Sequence, residues 1–179
     1  MSTKKESDQK PEVKAEILIR KAGLLDAKAI LKVHYAAVHD SRPGSALSFY
    51  DRETLDCWSP VVDEERVGNF ISCFKPDDEL MSVALLGDKL VGFASIVPRL
   101  NELRSCYVEP ASSSNGIARR LLLHLEEEAR QLRLGFLTLD ASLNAESFYQ
   151  KLGYQSDGLT RHPLPGGLSM TAVRMYKFL

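Results

Sequence analysis

The sequence predicts a mixed α/β fold, and three observations carry that expectation. Two apolar runs, Leu80-Met-Ser-Val-Ala-Leu-Leu86 and Leu90-Val-Gly-Phe-Ala-Ser-Ile-Val97, are joined by Gly87-Asp88-Lys89, the pattern of a β-hairpin. Ala118, Leu122, Leu125, Ala129 and Leu132 recur at helical spacing, with Glu126 four residues before Arg130, which predicts an amphipathic helix. Strand-like and helical segments then alternate along the chain instead of gathering into separate blocks.

Taken in order, Ile17-Leu-Ile-Arg-Lys21 reads as a first strand. A helix follows from about Asp26, a candidate N-cap, to about His39, with Ile30, Leu31, Ala37 and Val38 on its apolar face. Residues 40–60 read as a loop leading into a short helix that carries Trp58. The hairpin comes next, then a strand from Leu103 to Val108 closed by Glu109-Pro110. Three serines and Asn115-Gly116 precede the amphipathic helix. Phe136-Leu-Thr-Leu-Asp140 is a strand, Asn144 to Leu152 a helix and Leu168 to Phe178 a closing strand. Residues 158–168 read as a Pro- and Gly-containing loop.

Composition bounds the function classes. The 179 residues suit one domain, with 44% hydrophobic and 26% charged residues, and 23 basic against 24 acidic side chains leave a net charge of −1. That balance, without a basic stripe, argues against nucleic-acid and acidic-membrane partners. Cys57, Cys73 and Cys106 are odd in number and widely spaced, which points to reduced thiols in a cytoplasmic setting. No apolar stretch approaches the ~20 residues a membrane span needs. Residues 1–15 are polar and charged, so a disordered tail is expected there, with the domain over 16–179. His34, His39, His124 and His162 have no ligand partners at zinc spacing, and no metal is expected.

The segment that carries chemistry runs from Glu102 to Ala118. A strand ends at Val108-Glu-Pro110, and Asn115-Gly116 opens the long helix. A helix start exposes unpaired N–H groups and a partial positive charge, which attract anions, and glycine lets the backbone approach a ligand closely. Arg119 and Arg120 in the first turn oppose the helix dipole, and a bound phosphate would offset that penalty. A solvated helix end with two surface arginines is the alternative. No Lys-Ser or Lys-Thr follows the glycine, so the pattern is not that of a Walker-type ATP site.

Val108-x-Pro110 followed by Asn115-Gly116-Ile117-Ala118 resembles the acetyl-CoA signature of the GNAT superfamily of N-acetyltransferases. Asn144-Ala-Glu-Ser-Phe-Tyr-Gln-Lys-Leu-Gly-Tyr154 is similar to that family's downstream signature. The family's opening Gln or Arg is here Ser113. The resemblance implies a mixed, mostly antiparallel central sheet of six to seven strands, splayed where the cofactor enters and flanked by helices. It implies acetyl-CoA as co-substrate, cradled by Ser113, Ser114, Asn115, Gly116, Ile117 and Ala118, with its pantetheine arm along Tyr107 and Val108 and hydrogen-bonded to Asn144. It also implies transfer of an acetyl group to a primary amine by direct attack on the thioester, the oxyanion being held by a main-chain N–H near Tyr107 or Val108.

Tyr149 is then placed beside the CoA sulfur as general acid, a role that suits a phenol protonated at neutral pH. Glu102, on the central strand, is the candidate general base. Other readings stand beside these: a core tyrosine, a rim carboxylate, and an N-cap for Asn144. His162 is a candidate for the acceptor pocket or an ordinary loop residue, and Cys106 is expected to be an inert core thiol. Phe49, Tyr50 and Trp58 form a lid over the acceptor or fill core space. The acceptor is a small-molecule amine or a peptide or protein amine, and the protein is a monomer or homodimer. A catalytically silent acyl-CoA-binding domain is the rival function.

Overall fold

The computed structural model describes residues 16–179. The expected tail over residues 1–15 lies outside them. Seven strands form one sheet: β1 (Ile17–Lys21), β2 (Leu80–Leu86), β3 (Lys89–Val97), β4 (Glu102–Val108), β5 (Phe136–Ser142), β6 (Gln155–Pro163) and β7 (Ser169–Phe178). Their order across the sheet is β1-β2-β3-β4-β5-β7-β6, and every neighbouring pair is antiparallel except β4 and β5. Helices α1 (Ala27–Val38), α2 (Arg52–Trp58) and α3 (Glu64–Cys73) precede the hairpin. Helix α4 (Ile117–Gln131) crosses from β4 to β5, and the short α5 (Glu146–Gln150) follows β5.

Side-chain alternation gives the sheet two covered faces. On one, Leu121, Leu122 and Leu125 of α4 pack on Ile96, Leu137, Leu139 and Met175, and Tyr149 of α5 joins the same cluster. On the other, Ile30 and Val33 of α1 pack on Met81, Val83 and Phe93. Helix α3 reaches this second face through Val67, which packs on Ala27 and Leu31.

Strand β4 changes its facing part-way. Ser95 of β3 pairs with Ser105 and Ile96 with Leu103, so Arg104 is an extra residue in the ladder, a β-bulge. Leu103, Cys106 and Val108 therefore share the α4 face although three residues separate the first two, while Tyr107 turns to the α1 face. A side chain at Gly92 would crowd its neighbours, because a Cβ there would lie 3.1 Å from the Ile117 side chain, the Tyr107 carbonyl and the Val108 side chain. That close approach seats the start of α4 against β3 and β4.

Two elements went unforeseen in the sequence, and two features shift. Residues 64–73, for which the sequence reading names no element, form α3, capped by the Asp63 side chain, which accepts from the Arg66 N–H at 2.8 Å. The presumed loop over residues 158–168 is mostly β6, which pairs with β7. The helix expected from Asn144 to Leu152 contracts to α5 because Leu143, Asn144 and Ala145 form a turn first. Asp26 does not cap α1 with its side chain; it accepts from Arg20 and from the Gly23 N–H instead.

One ion pair ties the α4 face together. Glu126 is fully buried in α4, and both its oxygens accept from Lys177 Nζ of β7, at 2.8 and 2.7 Å. Lys177 also lies 5.4 Å from the centre of the Tyr154 ring. Arg130 Nη2 also lies 3.6 Å from Glu126 Oε2, so losing Lys177 leaves the buried charge partly compensated and costs less than the roughly 3–5 kcal/mol of a charge left alone. Lys177→Met is therefore expected to lower the unfolding free energy by about 2–3 kcal/mol, read as a fall in denaturant midpoint. A loss under about 1 kcal/mol would show that Arg130 or water compensates Glu126 in full.

Candidate functional site

Strands β4 and β5 are paired at one position only, Glu102 with Thr138. Beyond it they diverge, so the edge of β4 from Leu103 to Val108 has no ladder partner on the β5 side. A cavity of about 70 Å³ occupies the opening, between Ser105, Cys106 and Tyr107 on one strand and Asp140, Ala141 and Ser142 on the other. Backbone N–H and C=O groups that lack a strand partner are ready to bind an extended ligand.

The turn Pro110–Asn115 leads from this edge to α4. Gly116 is left-handed, with φ +69°, and a Cβ there would meet no atom within 4 Å. The first hydrogen bond of α4 runs from the Arg120 N–H to the Gly116 carbonyl, so the N–H groups of Ile117, Ala118 and Arg119 have no partner inside the helix. Ser113 and Asn115 are exposed at this end, whereas Ile117 is buried on Gly92. The side chain of Ser114 lies outside the described residues. Arg42, from the segment after α1, donates to Ser113 Oγ at 3.2 Å, which brings a guanidinium to the position where the resemblance expects Gln or Arg.

Tyr149 borders the opening from the α4 face and is 8% exposed; burial, with neighbouring Cys106, Tyr107 and Tyr154, pushes its phenol far above the ordinary tyrosine range. It holds its proton at every working pH. Burial also raises the Cys106 thiol to about 12, which fits an unreactive core cysteine. Asn144 Oδ1 is buried beside α5 without a hydrogen-bond partner, an orphaned acceptor of the kind a ligand N–H satisfies. The unpaired β4 edge, the open left-handed glycine and this orphaned oxygen together fit a CoA-like group.

The structure does not bring Glu102 to Tyr149. Glu102 sits at the closed end of the β4–β5 pair, about 16 Å along the strand from Tyr107. Its carboxylate accepts from Arg104 Nη2 at 2.8 Å. The opening holds instead His162, a candidate for the acceptor pocket from the sequence, paired with Asp140, which was not foreseen. Asp140 of β5 and His162 of β6 both line it, and His162 Nδ1 lies 3.1 Å from Asp140 Oδ2. Arg174 Nε donates to the other oxygen at 2.5 Å. Leu137, Leu139 and Ala141 belong to the α4 cluster, so Asp140 points to the α1 face. A carboxylate accepts, so the ring donates from Nδ1 and its Nε2 lone pair is left for other work.

The α1 face of the opening is walled by aromatic rings. Trp58 Nε1 donates to the Tyr107 hydroxyl at 3.1 Å, and Tyr50 donates to the Thr171 carbonyl at 2.7 Å while accepting from the Leu143 N–H at 2.8 Å. Tyr50 and Trp58 are thus fixed in the wall, while Phe49 is exposed. His34 packs edge-on to Tyr107, with ring centres 4.5 Å apart. Among the described residues no group of three His, Cys, Asp or Glu side chains is placed to hold a metal ion, and no helix is long and apolar enough to cross a membrane.

A divergent β4–β5 pair beside a helix start offers unpaired backbone groups to an extended ligand and a partial positive charge to an anionic one. The family model described as an acetyltransferase (GNAT) domain matches residues 46–175, and the chain belongs to that family. It is similar in structure to a GCN5-related N-acetyltransferase from Rhodopseudomonas palustris, with TM-score 0.78 and 25% identity over 93% of this chain and 98% of that one. A ribosomal-protein-alanine N-acetyltransferase from Brucella melitensis gives 0.65 and 25% over 90% and 99%. The PaiA N-acetyltransferase from Thermoplasma acidophilum, crystallised with coenzyme A, gives 0.68 and 22% over 92% and 99%, a likeness of fold. No curated protein matches the sequence.

His34 supplies a pH test of the α1 face. Burial, then the charge of Arg66 and then His39, hold its pKa down at about 3, against the ordinary 6.5. The unfolded chain therefore binds a proton that the folded one refuses, and stability falls as pH drops from about 6.5 toward 3. Between pH 7 and 5 the loss assigned to His34 is up to about 2 kcal/mol, an upper bound because the ring borders a cavity. The difference in unfolding free energy between the parent and His34→Asn should shrink by that amount over this range; a constant difference would mean the ring is hydrated.

Proposed function

We propose that this chain transfers an acetyl group from acetyl-CoA to a primary amine by direct attack of the amine on the thioester. The observation that carries the proposal is the divergence of β4 from β5, flanked at one end by the open start of α4 and at the other by Tyr149. Acetyl-CoA supplies the activated acyl group. The N–H groups of Gly116, Ile117 and Ala118 receive its pyrophosphate, with Arg42 and Ser113 alongside, and Ser114 and Asn115 complete the turn. The β4 edge at Tyr107 and Val108 pairs with the pantetheine arm, and Asn144 Oδ1 accepts from one of its amides. A main-chain N–H at Tyr107 or Val108 holds the developing oxyanion.

Two proton movements complete the reaction. Tyr149 donates to the departing sulfur, a role its protonated phenol suits. The attacking nitrogen loses its proton on the α1 face, and there His162 is better placed than Glu102. Its Nε2 is free, Asp140 fixes its ring, and both line the opening, whereas the Glu102 carboxylate is held by Arg104. A domain that merely binds acyl-CoA has no use for a proton donor and a proton acceptor on opposite sides of one opening.

Steady-state kinetics with acetyl-CoA and an amine panel provide the test. Tyr149→Phe keeps the ring and should leave acetyl-CoA affinity nearly unchanged while lowering turnover about ten- to a thousandfold. Equal turnover would reduce Tyr149 to a core residue. His162→Gln should lower turnover about a hundredfold near neutral pH, with the deficit narrowing as rising pH supplies more neutral amine. A larger deficit in Glu102→Gln than in His162→Gln would return the base to Glu102. Tight acetyl-CoA binding with no transfer to any amine would favour the silent binder.

A further inference from the structure

On the α1 face, a second cavity of about 320 Å³ adjoins the opening between β4 and β5, and Arg104, Ser105 and Tyr107 line both. Its size falls within the range of small-molecule sites. Ile30, Phe70, Met81 and Phe93 make most of its surface apolar. Two of its charged residues are Glu79 and Arg104; Arg104 is shared between Glu79, with Nη1 3.4 Å from Oε2, and Glu102, with Nη2 2.8 Å from Oε2, so it has no charge to spare for a ligand.

The third charged residue is different. Arg66 of α3 is partly buried at the cavity, and among the described residues no carboxylate lies within 4.0 Å of its guanidinium nitrogens. Its contacts are to neutral groups: Nη1 donates to the Pro60 carbonyl, and Nη2 to Ser59 Oγ and His34 Nδ1, both at 3.3 Å. His34 is uncharged, and the nearby Asp63 carboxylate is occupied in capping α3. Burial works against the charge on Arg66, opposed only by the longer-range pull of Asp63. A guanidinium has five N–H donors and keeps its charge in proteins, so this one is a desolvated cation with donors to spare and no counter-ion.

We infer that Arg66 is the carboxylate-reading residue of the acceptor site, and that the acceptor is an amine whose apolar frame also carries a carboxylate. The inference rests on acetyl transfer at the adjoining opening. One unpaired guanidinium with Glu79 on the same wall matches a monoanion, and a phosphate dianion would leave a charge uncompensated. Ser59 and His34 hold Nη2 in place, the N–H groups left on Nε and Nη1 can donate to a carboxylate, and the apolar floor takes the rest of the molecule. The amine end then extends past Ser105 and Tyr107 toward the opening.

The test uses matched pairs: L-phenylalanine, L-leucine and 5-aminopentanoate, each against its carboxamide. Trp58, the only tryptophan, lies with its ring centre 6.5 Å from that of His34, and its fluorescence reports binding whether or not turnover occurs. At least one carboxylate should bind tenfold or more tightly than its amide. Arg66→Gln should bring that ratio within twofold, and Arg66→Lys should recover part of it. In turnover the change should fall on the acceptor KM and leave kcat and the acetyl-CoA KM in place, which a purely structural arginine would not produce. Ratios near one for all three pairs in the parent, or a ratio unchanged in Arg66→Gln, would overturn the assignment. Selective carboxylate binding without acetyl transfer would sustain Arg66 and overturn the transferase proposal instead.

Discussion

The site depends on a failure of strand pairing. β4 and β5 are parallel neighbours joined through α4, and they hold one another at Glu102 and Thr138 alone. A sheet interrupted in its centre leaves polar backbone with no partner, and a compact protein tolerates that only where something else can satisfy the groups. Two local features keep the strands apart. The bulge at Arg104 re-aims β4, so that Tyr107 leaves the α4 face and stacks on Phe93. The missing side chain at Gly92 lets Ile117 of α4 sit down on β3 and β4, which brings a helix start to the mouth of the gap.

The rest of the molecule braces the two halves of the sheet that this gap separates. On the α4 face, Glu126 binds Lys177 of β7 across the interior, so a helix packed on β2, β3 and β4 is tied to the far half. On the α1 face, Tyr50 bonds Thr171 of β7 and Leu143 after β5, both on the far half, and packs with Val38, Leu55, Trp58 and Tyr107 of the near one. Both braces are polar and deeply placed, so each is directional in a way that apolar packing is not. An opening held by such ties keeps its width when empty, and preorganisation of that kind is what makes hydrogen bonds to a developing charge effective.

The half of the site proposed to bind phosphate was legible in the sequence because it is continuous in the chain. Strand, turn, glycine and helix follow one another from Glu102 to Gln131, and each step has a local signature in propensity or backbone freedom. The acceptor side was not, because long-range pairing assembles it. Asp140 and His162 lie on different strands and meet only through the register of β5, β7 and β6. β6 itself is largely exposed, with Gly158 interrupting it and Pro163 ending it, so it lacks the apolar alternation that marks a half-buried strand. Helix α3 was legible but passed over: Val67, Phe70, Ile71 and Phe74 recur at i, i+3, i+4 and i+7, and Asp63 followed by Glu64 and Glu65 is a start signal.

The same division explains how one scaffold separates chemistry from choice of acceptor. The groups proposed to handle the thioester sit on β4, α4 and α5, in the packed interior where a small displacement disturbs many contacts. Those proposed to face the acceptor sit on α3 and β6, in which only Val67 is buried. Arg66 stands one turn into α3, anchored by the Asp63 cap and Val67. A change of side chain at Arg66 would alter the α1-face cavity more than the β4 edge, because α3 packs on α1 through Val67 and reaches the cluster of Met81, Val83 and Phe93 through Phe70. On the proposed function, acceptor choice could then be tuned at a half-exposed position while the packed interior that builds the gap stays as it is.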